Sequence, residues 1–292
     1  MSLATLFFIL MRKDIGLRER LTLQESLNSY SLQGIVKMLR KMVAATFIIE
    51  FAGALILSIR FIPMFGFAEG IKKSIFHAIS AFCNAGFDTF GTPDNKFVNL
   101  VNFYDDPLVL LTISTLLILG GIGFIVLFDI IEKRRFSKFL LQTKVVIIMT
   151  AILLVTGTIF ILAAEYNNPA TLKNMPVSLK LLNAYFHSAS PRTAGFNSLP
   201  IADMTEASKF LTVILMFIGA SSGSIAGGIK ITTFAVAVLA VVSFIRGQDS
   251  VSIFGRTIGR NIIFKSFCII ALSSVLVILT TTVLLINNEG SL

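Results

Sequence analysis

The sequence predicts an all-α integral membrane protein made of repeated units, each a span, a short helix dipping back, a glycine-centred loop and a second span. Three observations lead there. Of the 292 residues, 55% are hydrophobic and 14% charged, against about a quarter charged in soluble domains, and mean hydropathy is +0.85. Several apolar runs approach or exceed the roughly 20 residues that a spanning helix needs. The stretch Tyr185 to Asn197, Y-F-H-S-A-S-P-R-T-A-G-F-N, is echoed 109 positions earlier by Phe76 to Asp88, F-H-A-I-S-A-F-C-N-A-G-F-D. Each copy is too short to cross a bilayer, sits between candidate spans and centres on Ala-Gly-Phe, which offers backbone rather than side chain.

The elements follow in order. Met1 to Met11 is apolar but lacks a basic leader and a cleavage pattern, so it reads as the end of a span rather than a signal peptide. Arg12 to Lys41 is polar and basic, a cytoplasmic connection with a surface helix expected at Leu17 to Leu27. Met42 to Phe61 is the first full span. Its Glu50 should face protein or a wet cavity, beside an ion path or as structural partner, unless it lies nearer the membrane interface than these bounds place it. Phe61 to Gly70, with Pro63 and Gly66, is expected to turn the chain into a short helix over Gly70 to Ala81, and Cys83 to Asp88 is the first loop. A polar connection containing Pro93 leads to the span Pro107 to Ile131, where Gly120, Gly121 and Gly123 permit close approach or a bend.

The second unit repeats the plan. Glu132 to Lys144 is a basic connection, Val145 to Ala163 a span, Glu165 to Lys180 an external loop, Leu181 to Ser190 the short helix and Pro191 to Pro200 the loop. The apolar run from Phe210 is interrupted from Gly219 to Thr233 before Phe234 to Ile245 resumes. So many Gly and Ser residues will not sustain a helix, and irregular backbone at membrane depth must line a cavity or be covered by protein. Arg246 to Lys265 is again basic, Ile262 to Ile286 is a last span, and Asn287 to Leu292 an external tail. Sixteen of the 25 Lys and Arg fall in the connections assigned to the inside, the bias that orients membrane proteins.

Several function classes drop out. The net charge of +9 lies between apolar runs, so it reads as an orientation signal rather than a nucleic-acid footprint. Cys83 and Cys268 suggest neither a disulfide framework nor a metal site, and His77 and His187 are far apart without an acidic cluster. No catalytic constellation is visible, so no enzyme activity is expected. A glycine loop between spans can instead replace a cation's hydration shell with backbone carbonyls, while the C-terminal ends of the short helices face the ion with partial negative charge. An alternating-access carrier also uses broken helices and stays open as an alternative.

The motifs S-P-R-T-A-G-F-N at Ser190 to Asn197, F-C-N-A-G-F-D at Phe82 to Asp88 and G-A-S-S-G-S-I-A-G-G-I-K at Gly219 to Lys230 resemble the Trk/Ktr/HKT superfamily of potassium transporters, most closely the bacterial Ktr membrane subunit. The resemblance implies M1-pore helix-M2 repeats, as in potassium-channel-like transporters, with Met42 to Ile131 as the second repeat and Val145 to Ile245 as the third. It implies an ion filter at Asn84, Ala85, Gly86 and Phe87 and at Thr193, Ala194, Gly195 and Phe196. It implies a gating loop of Gly219, Ala220, Ser221, Ser222, Gly223, Ser224, Ile225, Ala226, Gly227 and Gly228, followed by Lys230 as a basic residue of the gate or an interfacial anchor. Ser222 and Ile225 stand where the family often has Pro and Thr. Arg192 is expected to tune the outer vestibule or to tie down its loop.

The implied function is potassium uptake, with or without sodium dependence, in a bacterial inner membrane. No cofactor is expected in the chain, and nucleotide would enter only through a cytoplasmic regulatory ring beneath a homodimer. Met1 to Met11 matches the end of a first repeat and Ile262 to Ile286 the start of a fourth, so the sequence reads as a piece of such a subunit. A non-conducting membrane scaffold derived from one is the alternative.

Overall fold

The computed structural model describes residues 35–92, 98–224, 226–248 and 250–287. The expected span end at Met1 to Met11, the surface helix at Leu17 to Leu27, Pro93, Ile225 and the tail beyond Asn287 lie outside the described residues. Among those described, the elements are α1 (Ile35–Phe65), α2 (Phe67–Phe82), α3 (Pro107–Ile122), α4 (Phe124–Lys133), α5 (Leu141–Glu165), α6 (Val177–Ala189), α7 (Glu206–Phe217), α8 (Ile231–Ile245), the hairpin β1 (Ser252–Ile253) and β2 (Arg256–Thr257), and α9 (Arg260–Asn287).

Three of these helices carry stretches long and apolar enough to cross a membrane, Met38–Phe65, Leu141–Glu165 and Arg260–Ile286. The pair α3 and α4 makes a fourth if counted together, bent by 96°. α9 is apolar on every side and unburied over its most apolar window, with hydropathy 2.7, as befits a helix whose solvent is lipid. Among the described residues the fold is all-α apart from a hairpin of two-residue strands in the basic connection before α9 and one isolated bridge.

Local chemistry sets the helix ends. Asp106 caps α3, accepting from Leu108 N at 3.1 Å and Val109 N at 3.2 Å, and Pro107 opens the helix where its missing N–H is no loss. Arg60 of α1 pairs with the same carboxylate and so fastens two spans at one end. Asp129 of α4 accepts from Leu140 N at 2.8 Å and pairs with Lys133 at 2.7 Å, fixing the start of α5. At the other end of α5, the fully buried Glu165 accepts from Thr205 N (2.9 Å), Thr205 Oγ1 (2.7 Å), Asn168 Nδ2 (2.7 Å) and Thr171 Oγ1 (2.7 Å), while Thr205 caps α7.

The structure corrects several boundaries. The turn expected over Phe61 to Gly70 is confined to Gly66, because Pro63 is accommodated inside α1 and α2 begins at Phe67. The span Pro107 to Ile131 is not continuous: Gly123, at φ +89°, separates α3 from α4. The irregular stretch Gly219 to Thr233 is shorter than expected, since Ile231, Thr232 and Thr233 already belong to α8. The short helices are also longer than expected, beginning at Phe67 and Val177 rather than Gly70 and Leu181.

The two units share a core. α1 packs along α2, and both pack on α3; α5 likewise packs on α6 and α7, and α3 meets α6 between the units. Leu57, Phe61, Phe82, Leu110 and Ile113 of the first unit bury Phe186 and Phe196 of the second in one cluster. A second cluster joins Val126 of α4 to Val146, Leu153, Leu215 and Ile231. These contacts hold both glycine loops and the break at Gly123 side by side.

Candidate functional site

The two Ala-Gly-Phe loops follow the C-terminal ends of α2 and α6, and the fold brings them into contact. A Cβ built on Gly86 would lie far inside 3.0 Å of the Ala194 carbonyl oxygen, whereas one on Gly195 would meet only Gly86 Cα at 3.8 Å. Both loops have the same backbone signature: φ is positive at Asn84 (51°) and Gly86 (72°), and at Thr193 (76°) and Gly195 (89°), with the intervening Ala85 and Ala194 not among the positive-φ residues. For β-branched Thr193 this is a costly conformation that the surrounding contacts must enforce. Its Oγ1 is buried and finds no hydrogen-bond partner among the described residues.

Each loop is anchored to its own short helix by a serine. Ser80 Oγ donates to Phe87 O at 2.7 Å, and Ser190 Oγ donates to Phe196 O. The backbone repeat therefore extends to side-chain chemistry, although the rings diverge: Phe87 is 70% exposed and Phe196 2%. The serines and Asn99, whose side chain accepts from Asn197 N at 3.1 Å, were missed by the sequence reading. The serines lie one residue apart in the 109-residue alignment, and Asn99 lies in a stretch whose composition signals only a loop.

The glycine- and serine-rich segment between α7 and α8 folds back on itself. Ile218 and Ile229 form a parallel bridge, Ile229 N donates to Phe217 O at 3.1 Å, and Ile231 N donates to Ala220 O at 3.0 Å. The segment leans on the break between α3 and α4: Ser221 N donates to Gly121 O at 3.0 Å, and a Cβ on Gly123 would stand 3.0 Å from Ser222 O. Lys230 Nζ turns inward and donates to Ala226 O at 2.8 Å, a tie within the segment itself. The expected members from Gly219 to Gly228 are thus together apart from Ile225, outside the described residues, and touch the first unit at Gly121 and Gly123.

Other singled-out residues fall nearby. Arg192 lines a small cavity together with Leu117, Gly121, Thr150 and Ala220, and its Nε has no hydrogen-bond partner among the described residues. Glu50 stands beside the first loop, with Cys83 Sγ 3.8 Å from its Oε1. His77 is structural: Nδ1 meets Lys73 O at 2.7 Å, and its ring stacks on Phe90 at 4.3 Å. His187 Nε2 meets Thr212 Oγ1 at 3.2 Å. No group of three metal-ligating side chains occurs among the described residues.

Repeated span, short helix and loop units around a backbone-lined meeting point define a multi-pass membrane protein of the potassium-channel-like transporter class, in keeping with the expected bacterial inner membrane. The chain belongs to the TrkH family, described as cation transport protein, whose profile matches residues 1–292. It is 42% identical over 290 residues to the Ktr system potassium uptake protein B of Bacillus subtilis, covering 99% of this chain and 64% of that protein. It is 38% identical over 281 residues to the potassium/sodium uptake protein NtpJ of Enterococcus hirae, covering 93% of this chain and 61% of that protein. The crystal structure of the potassium transporter TrkH from Vibrio parahaemolyticus superposes with a TM-score of 0.70 at 14% identity, covering 92% of this chain and 56% of that one, a likeness of fold. The chain therefore spans 56–64% of the length of these proteins. The family comprises transporters rather than enzymes.

Proposed function

We propose that this chain forms part of the wall of a potassium-conducting path, in which the loops Asn84 to Phe87 and Thr193 to Phe196 replace the ion's hydration shell and the segment Gly219 to Gly228 with Lys230 gates passage. The observation that carries the reading is the shared alternation of φ in two touching loops. Extended backbone sends successive carbonyls to opposite sides; reversing the hand at every other residue gathers them on one. The Phe87 and Phe196 carbonyls are engaged by Ser80 and Ser190, which leaves the carbonyls preceding them for the ion. Neutral oxygens bind a cation without trapping it, and the unpartnered Thr193 Oγ1 offers one more. The membrane potential supplies about 2.3 kcal/mol per charge per 100 mV, so the path itself needs no chemical step.

The names of the relatives support the substrate, and NtpJ's name supports sodium alongside potassium. A homodimer on a cytoplasmic nucleotide-binding ring, in a bacterial inner membrane, completes the proposal. The test is growth at low potassium and ⁸⁶Rb⁺ uptake in cells lacking their own potassium uptake systems, expressing the gene at its natural length. Uptake above vector control that collapses in Gly195→Asp is expected. A membrane-inserted protein that gives no uptake, or whose uptake survives Gly195→Asp, overturns the reading.

A further inference from the structure

Asn99 lies outside every motif, yet its side chain stands between the two glycine loops. Its Oδ1 accepts from Leu100 N at 2.9 Å and from Asn197 N at 3.1 Å. Two backbone N–H groups on one atom fix the amide's orientation, because the NH₂ end cannot accept. Nδ2 is thereby turned to the first loop, 3.5 Å from the Gly86 carbonyl oxygen, the long limit of a hydrogen bond. Leu100 N also donates to Asn197 O at 3.1 Å, so the chain at Asn99 runs along the exit of the second loop. The residue is 9% exposed and has φ 49°, a left-handed conformation that Asn tolerates better than most side chains.

We infer that Asn99 is a positioning residue for ion selection, bracing the Gly86 carbonyl while holding the second loop in register through Asn197. Selection between cations of one charge depends on how firmly carbonyls keep their spacing, and a brace joining two loops sets a distance that neither loop's own helix fixes. The serines tie each loop to its own unit; Asn99 ties the loops to each other. The inference rests on the proposed potassium path.

The experiment compares wild type, Asn99→Gly and Asn99→Asp at natural length in cells lacking their own potassium uptake, measuring the membrane amount, ⁸⁶Rb⁺ uptake and competition by Na⁺. Asn99→Gly removes the amide without backbone strain at φ 49°. It is expected to weaken discrimination against Na⁺ by about tenfold or more at unchanged membrane amount, a ratio that a general loss of folded protein does not move. Asn99→Asp keeps the acceptor for Asn197 N but sets a charged acceptor in place of the donor against the Gly86 carbonyl, so it should weaken discrimination as well. A wild-type ratio in Asn99→Gly overturns the inference. If Asn99→Gly fails to reach the membrane, a wild-type ratio in Asn99→Asp alone overturns the Gly86 contact. Wild type without uptake overturns the potassium path instead, which keeps the two failures distinct.

Discussion

Gly86→Ala and Gly195→Ala look equivalent in the sequence and should behave differently. Both place a side chain at positive φ, 72° and 89°, which costs roughly 1–2 kcal/mol in each case. At Gly195 little else changes, since the new methyl meets only Gly86 Cα at 3.8 Å, ordinary contact. At Gly86 the methyl falls on Ala194 O, a backbone atom that cannot rotate away. The second loop must then shift, adding about 1–3 kcal/mol of overpacking strain and displacing a carbonyl assigned to the ion. The difference of about 1–3 kcal/mol corresponds to roughly 5- to 150-fold in an equilibrium constant. The assay is ⁸⁶Rb⁺ uptake against external potassium, with thermal unfolding of the detergent-solubilised protein as a control. Gly86→Ala should lose both apparent affinity and thermal stability relative to Gly195→Ala. Equal effects, or the reverse order, would refute the loop-to-loop contact.

Further substitutions probe the rest of the site. Gly219→Ala drives a methyl onto Gly227 O within the proposed gate. It should change the maximal uptake rate while leaving Na⁺ competition near wild type, as a gate separate from the filter requires. Glu165→Ala leaves three buried or half-buried donors and the α7 cap without their acceptor. A loss of roughly 3 kcal/mol is expected, read as a lower thermal midpoint, with Glu165→Gln recovering part because one oxygen persists. Ser190→Ala frees the Phe196 carbonyl from its short-helix anchor and should reduce potassium discrimination without reducing the amount of protein in the membrane.

The spans were legible because lipid demands unbroken apolar runs, and hydropathy reports that demand directly. The α3 to α4 break was only half legible: Ile122 and Phe124 are apolar on both sides of Gly123, so hydropathy continues through a 96° bend at a single residue. Pro63 misled in the opposite sense, because a proline that normally interrupts a helix sits within the last turn of α1. The two loops were found from the Ala-Gly-Phe repeat, but not their contact, which arises from packing Phe186 and Phe196 into the first unit's core. Thr193 is a poor sequence candidate for positive φ, and the serine anchors are offset by one residue between units. Asn99 was invisible for a further reason: the loop atoms it joins are backbone groups at Gly86 and Asn197, and nothing in its own neighbourhood names them.

The measurement that bears most directly on the central claim is anomalous diffraction from crystals of the natural-length protein soaked in Rb⁺ or Tl⁺. The account predicts density between the Gly86 and Gly195 loops, within coordinating reach of backbone carbonyls and weakened in Gly86→Ala. An ordered ion elsewhere in the membrane region, with that meeting point empty, would contradict it.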